Sequence, residues 1–180
     1  MKELSPDKSW TLFIDRDGVI NRRPVGDYVK KWDEFEFLPG VPEALAQLSG
    51  IFGRIIVVTN QQGIGKGLMT SGDLEEIHRK MVDKIGKAGG RIDAIYFCPD
   101  LEGEAENCRK PGTGMAERAK ADFPEIDFSR SIMAGDTEND MLFGKNAGMI
   151  TVLINTNDIP VNEIPSDAVF PNLISFAGSF

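Results

Sequence analysis

An α/β fold, a three-layer doubly wound parallel sheet, is what this sequence predicts, on two observations. Short apolar runs alternate along the chain with longer segments whose apolar residues recur at helical spacing, the pattern of strands joined by helical crossovers. The opening run, Leu12-Phe13-Ile14, is continuous rather than alternating, as a strand buried on both faces is. The 180 residues suit a single domain, 1–180, with a sizeable core.

Residues 1–9 are polar and contain Pro6, and a poorly ordered lead-in is expected there. The first strand follows and ends abruptly in Asp15-Arg16-Asp17-Gly18. Between Asn21 and Trp32 lies a basic loop with Arg22, Arg23, Pro24, Gly26, Lys30 and Lys31, either a solvated surface or a rim facing an anion. Pro42 fits the first turn of a helix that ends near Gly50, with Val41, Leu45 and Leu48 on one face. Arg54 to Thr59 is the second strand. Asn60 to Gly67 is a glycine-rich loop whose backbone amides could cradle an anion.

Thr70 and Asp73 stand at capping-box spacing before a helix with Leu74, Ile77, Met81 and Ile85 as its buried stripe. His78, the only histidine, lies beside that stripe and is read as structural. Gly89-Gly90 ends this helix. Further strands are expected at Ile92–Cys98, Ser131–Ala134, Met149–Ile154 and Ala168–Phe170, and helices at Thr113–Ala121 and Asn139–Lys145. Residues 158–166 are polar and interrupted by prolines, and Asn172–Phe176 reads as a terminal turn or helix.

A net charge of −8 argues against a nucleic-acid ligand, which needs a basic face. No apolar stretch reaches the ~20 residues of a membrane helix, and the start lacks the apolar core of a secretory signal, so a cytoplasmic location is expected. Cys98 and Cys108 are the only cysteines. In a reducing compartment they suggest metal binding, or nothing, before a disulfide.

Chemistry concentrates where apolar runs stop. In open α/β sheets, ligands bind beyond the carboxyl ends of strands. Asp15 and Asp17 end the first run, Thr59 and Asn60 the second, and Gly135-Asp136 a later one. Arg109-Lys110-Pro111 adds two cations in a loop. An acidic turn and a solvated basic pair are the plain alternatives.

Taken in order, Asp15-x-Asp17-Gly18, Thr59, Lys110 and Gly135-Asp136-x-x-x-Asp140 resemble the four motifs of the haloacid dehalogenase (HAD) superfamily. Phe13 to Asn21, Val57 to Gly67, Tyr96 to Pro111 and Gly135 to Met141 resemble most its heptose-1,7-bisphosphate and histidinol-phosphate phosphatase family. The resemblance spans roughly Trp10 to Ile154. It implies a central first strand flanked by the fourth and second, and a phosphatase of a small phosphorylated metabolite. Heptose 1,7-bisphosphate, cleaved at the 7-phosphate, is the first candidate. Histidinol phosphate, or a phosphate-binding regulator without turnover, is the alternative.

The same resemblance implies Asp15 as nucleophile and Asp17 as general acid and base. Thr59 would bond a phosphoryl oxygen, and Lys110 would balance charge and, together with Mg²⁺, hold Asp15 ionised. Mg²⁺ would rest on Asp15, the Asp17 carbonyl and Asp136, with Asp140 behind them. Arg109, with Asn60, Arg22 and Arg23, would bind substrate. Arg22 and Arg23 are more basic than the family's usual sequence there and are expected to bear on substrate preference. The stretches between motifs are too short for a separate cap domain, which leaves an open site shaped by loops 22–31, 61–67 and 99–110, in a protein expected to be a monomer. The family's loop after the third strand often carries a structural zinc. Here only Cys98 and Cys108 remain of four ligands, with Asp100 and Glu106 at the other two positions, and no structural zinc is expected because such sites prefer Cys and His.

Overall fold

The computed structural model describes residues 5–103, 108–156 and 163–180. Its strands are β1 (Thr11–Ile14), β2 (Arg54–Asn60), β3 (Ala94–Cys98), β4 (Ser131–Gly135), β5 (Ile150–Ile154) and β6 (Ala168–Phe170). All pair in parallel, in one sheet of order β3-β2-β1-β4-β5-β6. The helices are α1 (Val41–Ile51), α2 (Gln62–Gly65), α3 (Ser71–Lys87), α4 (Gly114–Asp122), α5 (Glu138–Ala147) and α6 (Leu173–Ala177).

Strand side chains alternate between two cores. Leu12, Ile14, Ile55, Val57, Ile132 and Ala134 pack with the buried faces of α1, α3 and α6. Phe13, Ile56, Val58 and Met133 pack on the other side with residues of α4 and α5. Leu12, Phe13 and Ile14 are 0 % exposed, which accounts for the unbroken apolar run. Burying each side chain fully is worth roughly 1.5–3 kcal/mol. In register, Ile14 lies beside Val57 of β2 and Ala134 of β4. The strand ends bearing Asp15, Thr59 and Asp136 are therefore neighbours, where chain connections diverge to either side of the sheet.

The helix signals have local causes. Thr70 and Asp73 bond reciprocally as a capping box at the start of α3, and Thr137 and Asp140 do the same for α5. The left-handed Gly148 closes α5, a backbone state only glycine enters freely.

Three sequence expectations need correction. Residues 5–9 are held in place: the Lys8 ammonium donates to the carbonyls of Ser49 (2.8 Å) and Phe52 (3.3 Å), and Asp7 accepts from Ser9. The glycine-rich loop, expected to be irregular, spends several of its amides on its own carbonyls. Residues 62–65 make one helical turn, and the amides of Ile64, Lys66, Gly67 and Leu68 all donate to nearby carbonyls. Its glycines serve close approach, since a Cβ on Gly63 would press on Tyr28 and one on Gly65 would overlap the Pro99 carbonyl. Finally, Cys98 and Cys108 form a disulfide. Their Cα atoms stand 5.5 Å apart, the usual bridging distance, because the Asp100 carboxylate accepts the Cys108 amide and folds the loop back. As a disulfide the pair offers no thiolate to a metal. Glu106, and most of the polar stretch 158–166, lie outside the described residues.

Candidate active site

Asp15 leaves β1 with its amide bonded to the Ala134 carbonyl at 2.9 Å. The turn after it is tight: the amides of Val19, Ile20 and Asn21 all point to the Arg16 carbonyl. Gly18 is required twice over. Its φ is +95°, and a Cβ there would overlap the Asp136 carboxylate. Gly135 is equally forced, because a Cβ would overlap Asp140. These two close approaches account for the glycines of Asp-x-Asp-Gly and Gly-Asp.

Lys110 is buried and lies at the centre. Its ammonium contacts Asp15 Oδ1 (2.8 Å), Asp140 Oδ1 (2.6 Å) and the Val58 carbonyl (2.9 Å). Asp140 divides its oxygens: Oδ2 caps α5 at Thr137, and Oδ1 faces Lys110. The Lys110 backbone is gripped by Asn60, whose Oδ1 accepts the Lys110 amide (3.0 Å) and whose Nδ2 donates to its carbonyl (3.2 Å). Asn60 was expected to bind substrate. It borders the cleft and holds the lysine in position, with one N–H and one oxygen lone pair not used by these two bonds.

Asp17 sits in a different environment. Arg16 grips both its carboxylate oxygens (2.8 and 2.9 Å), and Asn21 and Gln61 donate at 2.9 and 2.7 Å. Burial works against the anion, but the Arg16 charge and these hydrogen bonds prevail and hold the Asp17 carboxyl below its ordinary range. Asp15 goes the other way. Burial outweighs the attraction of Lys110, Asp140 adds repulsion, and its carboxyl is pushed up to about 6. Lys110 pulls Asp15 down, as the sequence leads one to expect of it together with Mg²⁺, but burial outweighs the lysine by itself. Burial and the Asp15 charge push Asp136 up to about 8. Arg16, Asn21 and Gln61 were not singled out from sequence. The available signal was Arg16 itself, a cation between two aspartates at the end of a buried strand.

The remaining expected residues divide. Thr59 is buried and accepts from Gln61 at 2.9 Å. Arg109 lies at the cleft and donates to the Asp100 carbonyl at 3.2 Å. Arg23 enters the site and contacts Asp15, Asp136 and the Asp17 carbonyl. Arg22 does not join them. It is exposed and pairs with Glu36, whose carbonyl also accepts the Arg22 amide. The cleft over this group has a volume of about 240 Å³, and Pro24, Asp27, Tyr28 and Asn139 also line it.

The site suits a hard divalent cation. Ligand oxygens of Asp15, Asp136 and Asp140 lie within 4.8 Å of one another, and Asp136 Oδ2 is buried without a hydrogen-bond partner. Such a set of oxygens matches Mg²⁺.

A parallel sheet with an aspartate at the end of its central strand, a buried lysine beside it and a further aspartate pair facing both defines a HAD-type hydrolase. Comparison with known proteins agrees. A family model described as HAD-hydrolase-like matches residues 107–175. A D-glycero-alpha-D-manno-heptose-1,7-bisphosphate 7-phosphatase of Mycobacterium tuberculosis is 42 % identical over 137 residues, covering 76 % of this chain and 72 % of that protein. The beta-anomer counterpart of Rhodopseudomonas palustris is 34 % identical, covering 83 % and 85 %. The crystal structure of a D,D-heptose 1,7-bisphosphate phosphatase of B. bronchiseptica, complexed with magnesium and phosphate, superposes with a TM-score of 0.81 at 28 % identity, covering 94 % of this chain and 97 % of that one. The chain belongs to the heptose-1,7-bisphosphate 7-phosphatase family of HAD-type hydrolases. No helix among the described residues is long and apolar enough to cross a membrane.

Proposed function

We propose that this protein is a Mg²⁺-dependent phosphatase that removes the 7-phosphate of a heptose 1,7-bisphosphate through a phosphorylated Asp15. The observation that carries this reading is the contrast between two aspartates two residues apart: Asp15 faces Lys110, whereas Asp17 is gripped separately by Arg16, Asn21 and Gln61. Separate environments for two carboxyls are what divided acid and nucleophile roles require.

In this reading an Asp15 oxygen attacks phosphorus as the bond to the sugar oxygen breaks. Lys110, with Thr59 as a hydroxyl donor, offsets the charge on the phosphoryl oxygens. Mg²⁺ on Asp15, the Asp17 carbonyl and Asp136 supplies further positive charge when bound. Asp17 gives a proton to the departing alkoxide, then takes one from the water that cleaves the acyl phosphate. The incoming phosphate supports the first of these steps, since negative charge beside Asp17 raises its hold on a proton. Arg109 is suited to the distal phosphate, since a guanidinium binds such groups in two places. Arg23 also faces the cleft. The short connections between motifs support a single domain without a cap, and the net charge of −8 favours a small metabolite over nucleic acid. We take the monomer as the working unit.

The test is phosphate release from the alpha and beta heptose bisphosphates, histidinol phosphate and an aryl phosphate, with and without Mg²⁺. Fastest turnover of one heptose bisphosphate supports the reading. Preference for histidinol phosphate replaces the substrate, and no Mg²⁺-dependent hydrolysis of any of them favours a regulator. Asp15→Asn should abolish turnover in a folded protein. Asp17→Asn should cost about 10²–10⁴-fold, with a smaller loss for the aryl phosphate because its leaving group needs less protonation.

A further inference from the structure

The Arg23 guanidinium stands among oxygens of the three residues given to Mg²⁺ under the proposed function, Asp15, Asp17 and Asp136. Its Nη2 lies 2.6 Å from the Asp17 carbonyl, 3.0 Å from Asp136 Oδ1 and 3.5 Å from Asp15 Oδ2. These are one oxygen from each of the three residues in the ligand set, and one nitrogen reaches them all. Mg²⁺ requires its ligand oxygens at about 2.0–2.1 Å. A cation drawn to these oxygens would overlap Nη2, so guanidinium and metal exclude each other.

We propose that Arg23 is a built-in competitor for the cation site, a tethered charge that neutralises the acidic cradle and must swing out before Mg²⁺ can bind. This inference rests on the cation reading above and adds a residue to it. Three features support it. The Arg23 side chain is 44 % exposed, whereas Asp15 and Asp136 are 5 % and 1 % exposed, so the guanidinium has a way out toward solvent. It belongs to a connection without regular structure between Asn21 and Trp32, apart from the isolated pairing at Asn21, and Pro24 follows it. It also lines the cleft, so a displaced guanidinium stays near the incoming phosphate. Where one state excludes a ligand, the apparent affinity falls in proportion to the fraction of molecules in the competent state.

The experiment is calorimetric titration of Mg²⁺ into the purified chain, Arg23→Gln and Arg22→Gln, with thermal melts in chelator and in excess Mg²⁺. Arg22→Gln removes the same charge one residue away, from a side chain paired with Glu36. Arg23→Gln should bind Mg²⁺ roughly tenfold more tightly, melt lower than the parent in chelator, and gain more from Mg²⁺. Arg22→Gln should bind as the parent does. A second measurement needs no folded variant: the Arg23 Nη2 proton signals should be protected in chelator and exchange faster as Mg²⁺ is added. Equal or weaker Mg²⁺ binding by Arg23→Gln, equal tightening in Arg22→Gln, or a signal that Mg²⁺ leaves unchanged would overturn the competition alone. No Mg²⁺ binding by the parent or the variants would overturn the cation reading with it.

Discussion

Arg16 is 0 % exposed, and a buried guanidinium is costly unless it is paired. Asp17 supplies the charge partner, and His78 supplies a nitrogen 3.2 Å from Nη1. Because the arginine only donates, His78 must accept there and remain neutral. Burial first, and the Arg16 charge second, push its imidazole down to about 3. The sign follows. Between pH about 6.5 and about 3 the unfolded chain protonates this histidine and the folded one does not, so stability falls as the pH drops through that window. The slope is up to about 1.4 kcal/mol per pH unit. His78→Gln keeps an acceptor without the titration, and its stability curve should be shallower by about one proton between pH 6 and 4. An unchanged slope in denaturant melts would mean that the histidine is already charged in the folded state. His78 was legible as a structural residue. Its partner was not, because a contact across 62 positions leaves no local mark.

Among the elements, strands and helices were the most legible, since each was fixed by short-range chemistry. The runs in β1, β2 and β4 were continuous because both sheet faces are covered, and the Thr70–Asp73 and Thr137–Asp140 boxes start their helices as their side chains dictate. The motif carboxylates were legible for the same reason, since each follows a strand end. What escaped was decided by distant partners. Asn60 turns to Lys110 across 50 residues, Arg22 turns to Glu36, and polar residues 5–9 are held by carbonyls more than 40 positions away. The disulfide escaped because sequence carries no record of redox state. Closing a loop with a separation of 10 residues stabilises a chain by roughly 3 kcal/mol in the loop-entropy model. Thiol titration of the denatured protein should find none before reduction and both afterwards, and reduction should lower the melting temperature. Reactive thiols in the untreated protein, with zinc retained at stoichiometric level, would replace the disulfide with a metal clamp.

Across the whole molecule, the end of the sheet buries its carboxyls deeply enough to push two of them up. Asp15 and Asp136 titrate near 6 and 8 in the fold, against about 3.9 for an unperturbed aspartate. Between those values the folded state holds protons that the unfolded chain has lost, so these two groups make stability fall as the pH rises from about 4 to 8. A divalent cation bound to the same oxygens replaces those protons. Stabilisation by saturating Mg²⁺ should therefore be larger at pH 8 than at pH 5.5. Paired melts with Mg²⁺ and with chelator check this, and a difference independent of pH would place the cation away from these carboxylates.

The Asn60 clip on the Lys110 backbone has a consequence for how such a site can diversify. Lys110 takes its position from the tip of β2, and the Cys98–Cys108 bond closes the intervening loop on itself. Lys110 is thus fixed by Asn60 and the Val58 carbonyl, contacts that do not run through the segment between the cysteines. Loops of other lengths and compositions could be grafted there to recruit new substrates, while the lysine stays where β2 holds it.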